Sequence, residues 1–317
     1  EGEIFGGPMY VIKNGLPKKM LPLAYFFALA GMIGCLPAFQ SNQLIQITGD
    51  LAFSEIENFN ILGGLVLAGI TGFVVIGGLK RIAEVATFLV PLMGSIYFGA
   101  MIIALILNLN LVLPAFKLIF VDAFNGTAIA GGTFFGVLIY GVRRGAFSNE
   151  AGMGTESLVH GVARVSDPVK QGLVAMTGPI FDTLIICTAT ALMILVSGVW
   201  ETSSSQGVTL TAEAFSILLG NFGGLILFVC VICFGLSTIF TYSYYGASCS
   251  RFLFGKFGMK FYIYLYILSI FIYSIVPIDI AINIADGAFA MMAIPTLISA
   301  LWLAPKVMQA SKNYFKL

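Results

Sequence analysis

Eight stretches of at least 18 residues contain no Asp, Glu, Lys or Arg: 20–49, 58–79, 85–116, 123–142, 183–200, 214–250, 261–278 and 287–305. A helix that crosses a bilayer needs about 20 consecutive apolar residues. In lipid, every backbone amide must be bonded within its own helix or around a closed barrel, and these runs lack the alternation of barrel strands. The expected class is therefore an all-α integral membrane protein with eight transmembrane helices, a multi-pass protein whose partner is the lipid bilayer. Composition agrees, with 59% apolar and only 10% charged residues, where soluble chains carry about 25% charge. Mean hydropathy is +0.98. A net charge of +1 gives no reason to expect nucleic acid.

The loops between the runs sort by charge. One alternate set carries Lys13, Lys18, Lys19, Lys80, Arg81, Arg164, Lys170, Arg251, Lys256, Lys260, Lys306, Lys312 and Lys316; the opposite set carries Lys117 alone. Lys and Arg collect on the cytoplasmic side, which places both ends of the chain there. The opposite set also holds Asp50, Glu55, Glu57, Asp122, Glu201, Glu213 and Asp279. The chain begins at Glu1 without a start Met or a signal-like segment, so a piece of a longer protein is expected. Cys35, Cys187, Cys230, Cys233 and Cys249 lie in or at the ends of the apolar runs, which suits packing rather than a disulfide framework.

Arg143 and Arg144 are left over, at a depth where a helix starting near Gly132 is still inside the bilayer. The segment from Gly141 to Gly154 adds four glycines and five polar or charged side chains to that path. Glycine is about 1 kcal/mol worse than alanine inside a helix. Ser148 and Asn149 ahead of Glu150 read as an N-cap with an acidic first turn. The spacing predicts two half-helices with an unwound joint near 147–150, a device by which secondary transporters expose amides and carbonyls at the midplane. The other reading is a structural kink or an inner-surface loop.

At this point the residues resemble a known family. GVRRGAFSNEAGMGTE (141–156), SDPVKQGLVAMTG (166–178) and DTLIICTATALMILVSG (182–198) resemble the signature of the sodium:alanine symporters, the alanine or glycine:cation symporter family. So do GGPMYVIKNGLP near the start, GGLKRIAEVATFLVPLMGSIYF, GVTLTAEAF, STIFTYSYYG and IADGAFAMMAIPTLISAL, in that order along nearly the whole chain. The resemblance implies a leucine-transporter-type inverted-repeat bundle. The same resemblance implies that residues 1–317 are one transporter domain corresponding to core helices three to ten, without the first two. It also implies a symporter in the cell (inner) membrane that imports a small neutral amino acid, alanine or glycine, with sodium, by alternating access. Sodium is then a co-transported ligand, with no cofactor and no other metal, and the protein is not an enzyme.

The candidate residues follow from both lines. The Phe of FSNEAG, Phe147, packs beside the bound amino acid in the family; by residue type alone it is one of 28 Phe. Ser148 and Asn149 either present groups to the substrate ammonium or are plain helix caps. Gln40 interrupts an apolar span and needs a partner, because an unpaired buried amide costs about 1–3 kcal/mol. The matching Gln lines the family's pocket, although Leu36 and Pro37 stand where relatives tend to have Gly-Asn.

Ser237 and Thr238 offer adjacent hydroxyl oxygens of the kind hard cations prefer. In related transporters this position completes a sodium site; alternatively the hydroxyls bond back to a carbonyl one turn earlier. Thr238, Ile239 and Tyr242 lie at i, i+1 and i+4, roughly one side of a helix, and match family pocket positions. Relatives often have Trp at Tyr242 and at Ile282. Asp182, an intramembrane carboxylate, is a functional candidate by default, as cation ligand or proton sensor; pairing with Arg143 or Arg144 is the structural alternative. Asp286 is open in the same way.

Cys230 and Cys233 have redox spacing but no nearby His or second Cys pair, His160 is alone, and Asn125-Gly-Thr127 is a sequon. No Walker loop, HExxH or G-x-S-x-G occurs. The competing readings are a channel, sensor or inactive remnant on the same scaffold, or a proton-coupled transporter of another small amino acid.

Overall fold

The computed structural model describes residues 5–124 and 133–316. Among them every regular element is helical. The sequon at Asn125–Thr127 lies outside the described residues.

The chain opens with α1 (Pro8–Gly15), which has a proline in its first turn, where the missing N–H is not needed. Then come α2 (Leu21–Gly34) and α3 (Ala38–Ala52). The uncharged run 20–49 is thus two helices rather than one. Pro37 cannot donate to a helical carbonyl, and it stands at the N-cap of α3, where the Ser41 hydroxyl donates to its carbonyl. The run 58–79 is α4 (Phe59–Val75), which lays small residues against its neighbour: a methyl on Gly64 would sit 2.8 Å from Cβ of Ser274. Close approach through small residues holds helices together in lipid, where apolar burial gives little drive.

Beyond it lie α5 (Gly78–Leu107), α6 (Leu109–Ala123) and α7 (Thr133–Asn149). A short α8 (Thr155–His160) precedes α9 (Pro168–Pro179), whose N-cap Asp167 accepts from the Val169 amide at 2.8 Å. Residues Ile180–Cys187 continue α9 with π-helical winding into α10 (Thr188–Ser197). After α11 (Val208–Leu219), Gly220 turns the chain with a φ of 69°, so the run 214–250 also divides.

An unbroken helix over Asn221–Ile275 would be about 80 Å long, far more than a bilayer holds. Gly255, at φ 69° and ψ −158°, breaks it into α12 (221–254) and α13 (256–275). The last element, α14 (Ile278–Phe315), starts after Pro277.

Among the described residues, five helical stretches are long and apolar enough to cross a membrane: Lys18–Ala52, Gly78–Leu107, Pro168–Ser197, Phe222–Ile275 and Ile278–Phe315. The fourth is the pair α12 and α13. Their outward faces are oily, with Phe257 and Leu301 more than three-quarters exposed, as lipid-facing side chains are. The core lies where α2, α4, α12, α13 and α14 meet, around Phe27, Ile239, Cys249, Tyr266 and Met292. Tyr266 there spends its hydroxyl on the Ile239 carbonyl at 2.6 Å. All five cysteines are free thiols.

Candidate functional site

The interruption of α7 organises the site. Its helix runs through Ser148 and Asn149 and ends there, and winding resumes at Thr155 with Gly154 as N-cap. The joint is therefore 150–154, a few residues later than the expected 147–150, and Ser148 and Asn149 close the first half-helix instead of capping the second. Backbone geometry explains the shift. Glu150, Gly152 and Gly154 have φ of 54°, 83° and 92°, a region that glycine enters freely, whereas Gly141 and Gly145 stay within the helix. Asn149 Oδ1 accepts from the Ala151 amide at 2.9 Å and so stabilises the turn.

A polar network pins this end of α7 to the π-helical turn. Ser148 Oγ donates to Asp182 Oδ2. Asn149 Nδ2 donates to Thr183 Oγ1 at 3.1 Å, and Thr183 donates to the same Asp182 oxygen at 3.1 Å. Asp182 pairs with neither arginine. Arg144 instead forms an ion pair with Asp286 on α14, its guanidinium lying 5.5 Å from the Tyr140 ring centroid and 5.4 Å from that of Phe147. Phe147 is fixed further by edge contacts with Phe39 and Phe289, at 5.7 and 5.3 Å between centroids.

Two cavities meet at the joint. The larger, about 500 Å³, is walled by α3, α5, α7, α10, α11 and α12, and Gln40, Phe147, Ser148, Thr238 and Tyr242 all line it. No hydrogen bond joins the Gln40 side chain to another of the described residues. Ser237 is buried beside Thr238 and gives its hydroxyl back to the Phe234 carbonyl at 3.0 Å, the local bond weighed above. Ile239 is fully buried in the helical core and is not part of the cavity wall. Successive helical residues are about 100° apart, so i and i+1 do not share a narrow face.

The smaller cavity, about 230 Å³, lies on the other side of the joint. Asn149 and Asp182 open onto it together with Glu156, His160 and Tyr245. Ser148 and Glu150 line both cavities.

Four residues that line the larger cavity and whose side chains make hydrogen bonds were not among the sequence candidates. Glu150 is the principal one: it accepts a hydrogen bond from Tyr242 Oη, and the intramembrane-carboxylate argument applied to Asp182 fits it equally. Tyr97 donates to Thr190 Oγ1 at 2.7 Å, and Thr190 donates to the Ile186 carbonyl at 2.8 Å. Gln43 Oε1 accepts from the Val208 amide at 3.4 Å. Nothing in the local sequence marks Tyr97, Thr190 or Gln43, since each takes its meaning from a helix distant in the chain.

Sodium needs oxygen ligands, which Ser148, Thr190 and Thr238 present at the cavity. Among the described residues no group of three His, Cys, Asp or Glu gathers as a metal centre. A helical membrane bundle with an interrupted helix bordering an internal cavity is the build of a membrane transporter.

The comparisons make this specific. The sequence profile described as the sodium:alanine symporter family matches residues 1–317, and the chain belongs to that family. It is 35% identical to the sodium/alanine symporter AgcS of Methanococcus maripaludis, over 99% of this chain and 70% of that protein. It is 32% identical to the probable sodium/glutamine symporter GlnT of Bacillus subtilis, over 98% and 64%, and 31% identical to the amino-acid carrier protein AlsT of the same organism, over 100% and 67%. The family is one of transporters, not enzymes, and sodium is a co-transported ligand rather than a cofactor.

Proposed function

We propose that this chain forms a single transporter domain, residues 1–317, that imports alanine, glycine or a similarly small neutral amino acid together with sodium. Its helices take the arrangement of core helices three to ten of a leucine-transporter-type inverted repeat. It lies in the cell (inner) membrane with both ends of the chain cytoplasmic, by the charge asymmetry of the loops. The larger cavity then opens toward the outside, where Gly207 and Val208 lie, and the smaller one toward the inside.

The observation that carries the reading is the cavity at the α7 joint, bordered by Phe147, Ser148, Gln40, Thr238 and Tyr242. The first three serve the substrate, and Asn149, which opens onto the smaller cavity, holds the joint beside them; Thr238 and Tyr242 complete the pocket, and Ile239 supports them from behind. Thr238 and Ser237 serve the cation, and Asp182 orients Ser148 toward it. Cation and amino acid share ligands, so each raises the affinity for the other. Alternating access follows when the joint, with the Tyr242–Glu150 contact between the two cavities, rearranges. The names of the relatives differ in substrate, which leaves alanine or glycine as this chain's own proposal.

The test is uptake of radiolabelled alanine and glycine by the full-length protein in proteoliposomes under an inward sodium gradient, with a proton gradient as control. Accumulation driven by sodium is expected. Equilibration without accumulation would show a channel instead, and accumulation with the proton gradient alone would reassign the coupling ion. Replacing Ser237 and Thr238 together by Ala is expected to weaken sodium activation with a smaller effect on maximal uptake. An unchanged sodium dependence removes these two from the ion site.

A further inference from the structure

We infer that Glu150 is the counter-charge for a monovalent cationic group in the larger cavity, either the ammonium of the amino acid or the sodium ion. The inference deepens the transport reading above and rests on it for the identity of the two cations.

Four observations converge on this residue. Glu150 is the one charged side chain among the residues that line the larger cavity; the rest of its wall is apolar, amide, hydroxyl or glycine. On its other side, the smaller cavity presents Asp182 and Glu156 but no Lys or Arg, and its His160 is engaged by Gln171. Asp286 already has a cation in Arg144, whereas the hydroxyl that Glu150 receives from Tyr242 is neutral.

The backbone adds to this. In a continued helix the Phe147 carbonyl would accept from the Ala151 amide, but that amide donates to Asn149 Oδ1 at 2.9 Å. Glu150 therefore sits at the carbonyl end of α7, where the helix dipole is itself negative. A carboxylate at a negative helix end, in a wall with no positive side chain, is costly without a cation.

The charge count fits the cargo. One carboxylate, one sodium ion and one zwitterion sum to zero, so the loaded cavity is neutral while the empty one is not. Tyr242 donates to one carboxylate oxygen, and both residues line the cavity.

The experiment compares wild type, E150Q and E150D of the full-length protein for binding of radiolabelled sodium and radiolabelled alanine, each measured with and without the other. E150Q keeps an acceptor for Tyr242 and removes only the charge. Its affinity for the cation that faces Glu150 is expected to fall about tenfold or more, the usual weight of a charge-assisted hydrogen bond. A drop in alanine affinity at saturating sodium, with sodium binding alone unchanged, assigns the ammonium. A drop in sodium binding without alanine assigns the ion. E150D withdraws the charge by one methylene and reads the same constants with a smaller loss, which covers the case of an unstable E150Q.

Unchanged constants in a folded variant overturn the inference while leaving the transport reading intact. A wild type that binds both cargoes but does not accumulate alanine defeats the transport reading and leaves this one standing. A wild type that binds neither defeats both.

Discussion

Replacing Asp286 by Asn lowers the thermal stability of the detergent-solubilised protein more than any other single neutralisation in the bundle. Arg144 has one acidic partner among the described residues, Asp286, and the pair joins α7 to α14 across 142 positions of sequence. Removing one member of a buried ion pair leaves an uncompensated charge and costs about 3–5 kcal/mol. Here the arginine side chain keeps 30% exposure and the aspartate 15%, so the lower end of that range applies. The Tyr140 and Phe147 rings beside the guanidinium recover part of the loss, since cation–π contacts contribute about 0.5–2 kcal/mol.

A double-mutant cycle separates the pair from the packing. R144M/D286L removes both charges and is expected to melt closer to wild type than D286N does. If D286N melts with the wild type, the ion pair has no structural weight. Because Phe147 packs between Arg144, Phe39 and Phe289, D286N is also expected to weaken substrate binding beyond its effect on melting.

G154A is expected to be the most damaging single-methyl insertion at the joint. Gly154 has a φ of 92°, and a methyl there would meet Pro8 Cγ at 2.5 Å, Thr296 Oγ1 at 2.6 Å and Phe27 Cε2 at 2.8 Å. Left-handed backbone costs a non-glycine residue about 1–2 kcal/mol, and overpacking adds about 1–3 kcal/mol. Gly152 separates the two causes: its φ is 83° but its nearest neighbour is Leu297 at 3.4 Å, so G152A carries the conformational cost alone. G145A, within α7 and with open space around it, is expected to be neutral or slightly stabilising. Melting temperatures should fall in the order G145A, G152A, G154A, with uptake lost in the same order. Equal melting for all three would mean that the backbone at the joint is not held where it lies.

The sequence carried the class of the molecule because lipid imposes a rule that a single chain displays openly: long runs without charge. It carried the existence of the α7 joint because glycines and polar residues at depth have few other uses. It placed the joint a few residues early because Ser-Asn-Glu reads as a helix start, whereas the backbone turns where Gly152 and Gly154 permit it. Helical spacing put Thr238 and Tyr242 on one wall but could not tell that Ile239, a single position on, turns into the core. The pairing of Arg144 with Asp286, the hold of Asp182 on Ser148 and the position of Glu150 between two cavities depend on helices far apart in the chain. No local pattern encodes them.

In the proposed transporter, sodium and the amino acid bind at one shared site beside the α7 joint. Equilibrium binding of radiolabelled alanine to the purified full-length protein across a sodium series, and of sodium across an alanine series, measures this coupling. Linkage requires the two factors to be equal. Sodium is expected to raise alanine affinity, alanine to raise sodium affinity by the same factor, and F147A to reduce both. Alanine affinity that is independent of sodium would mean that the two do not share a site.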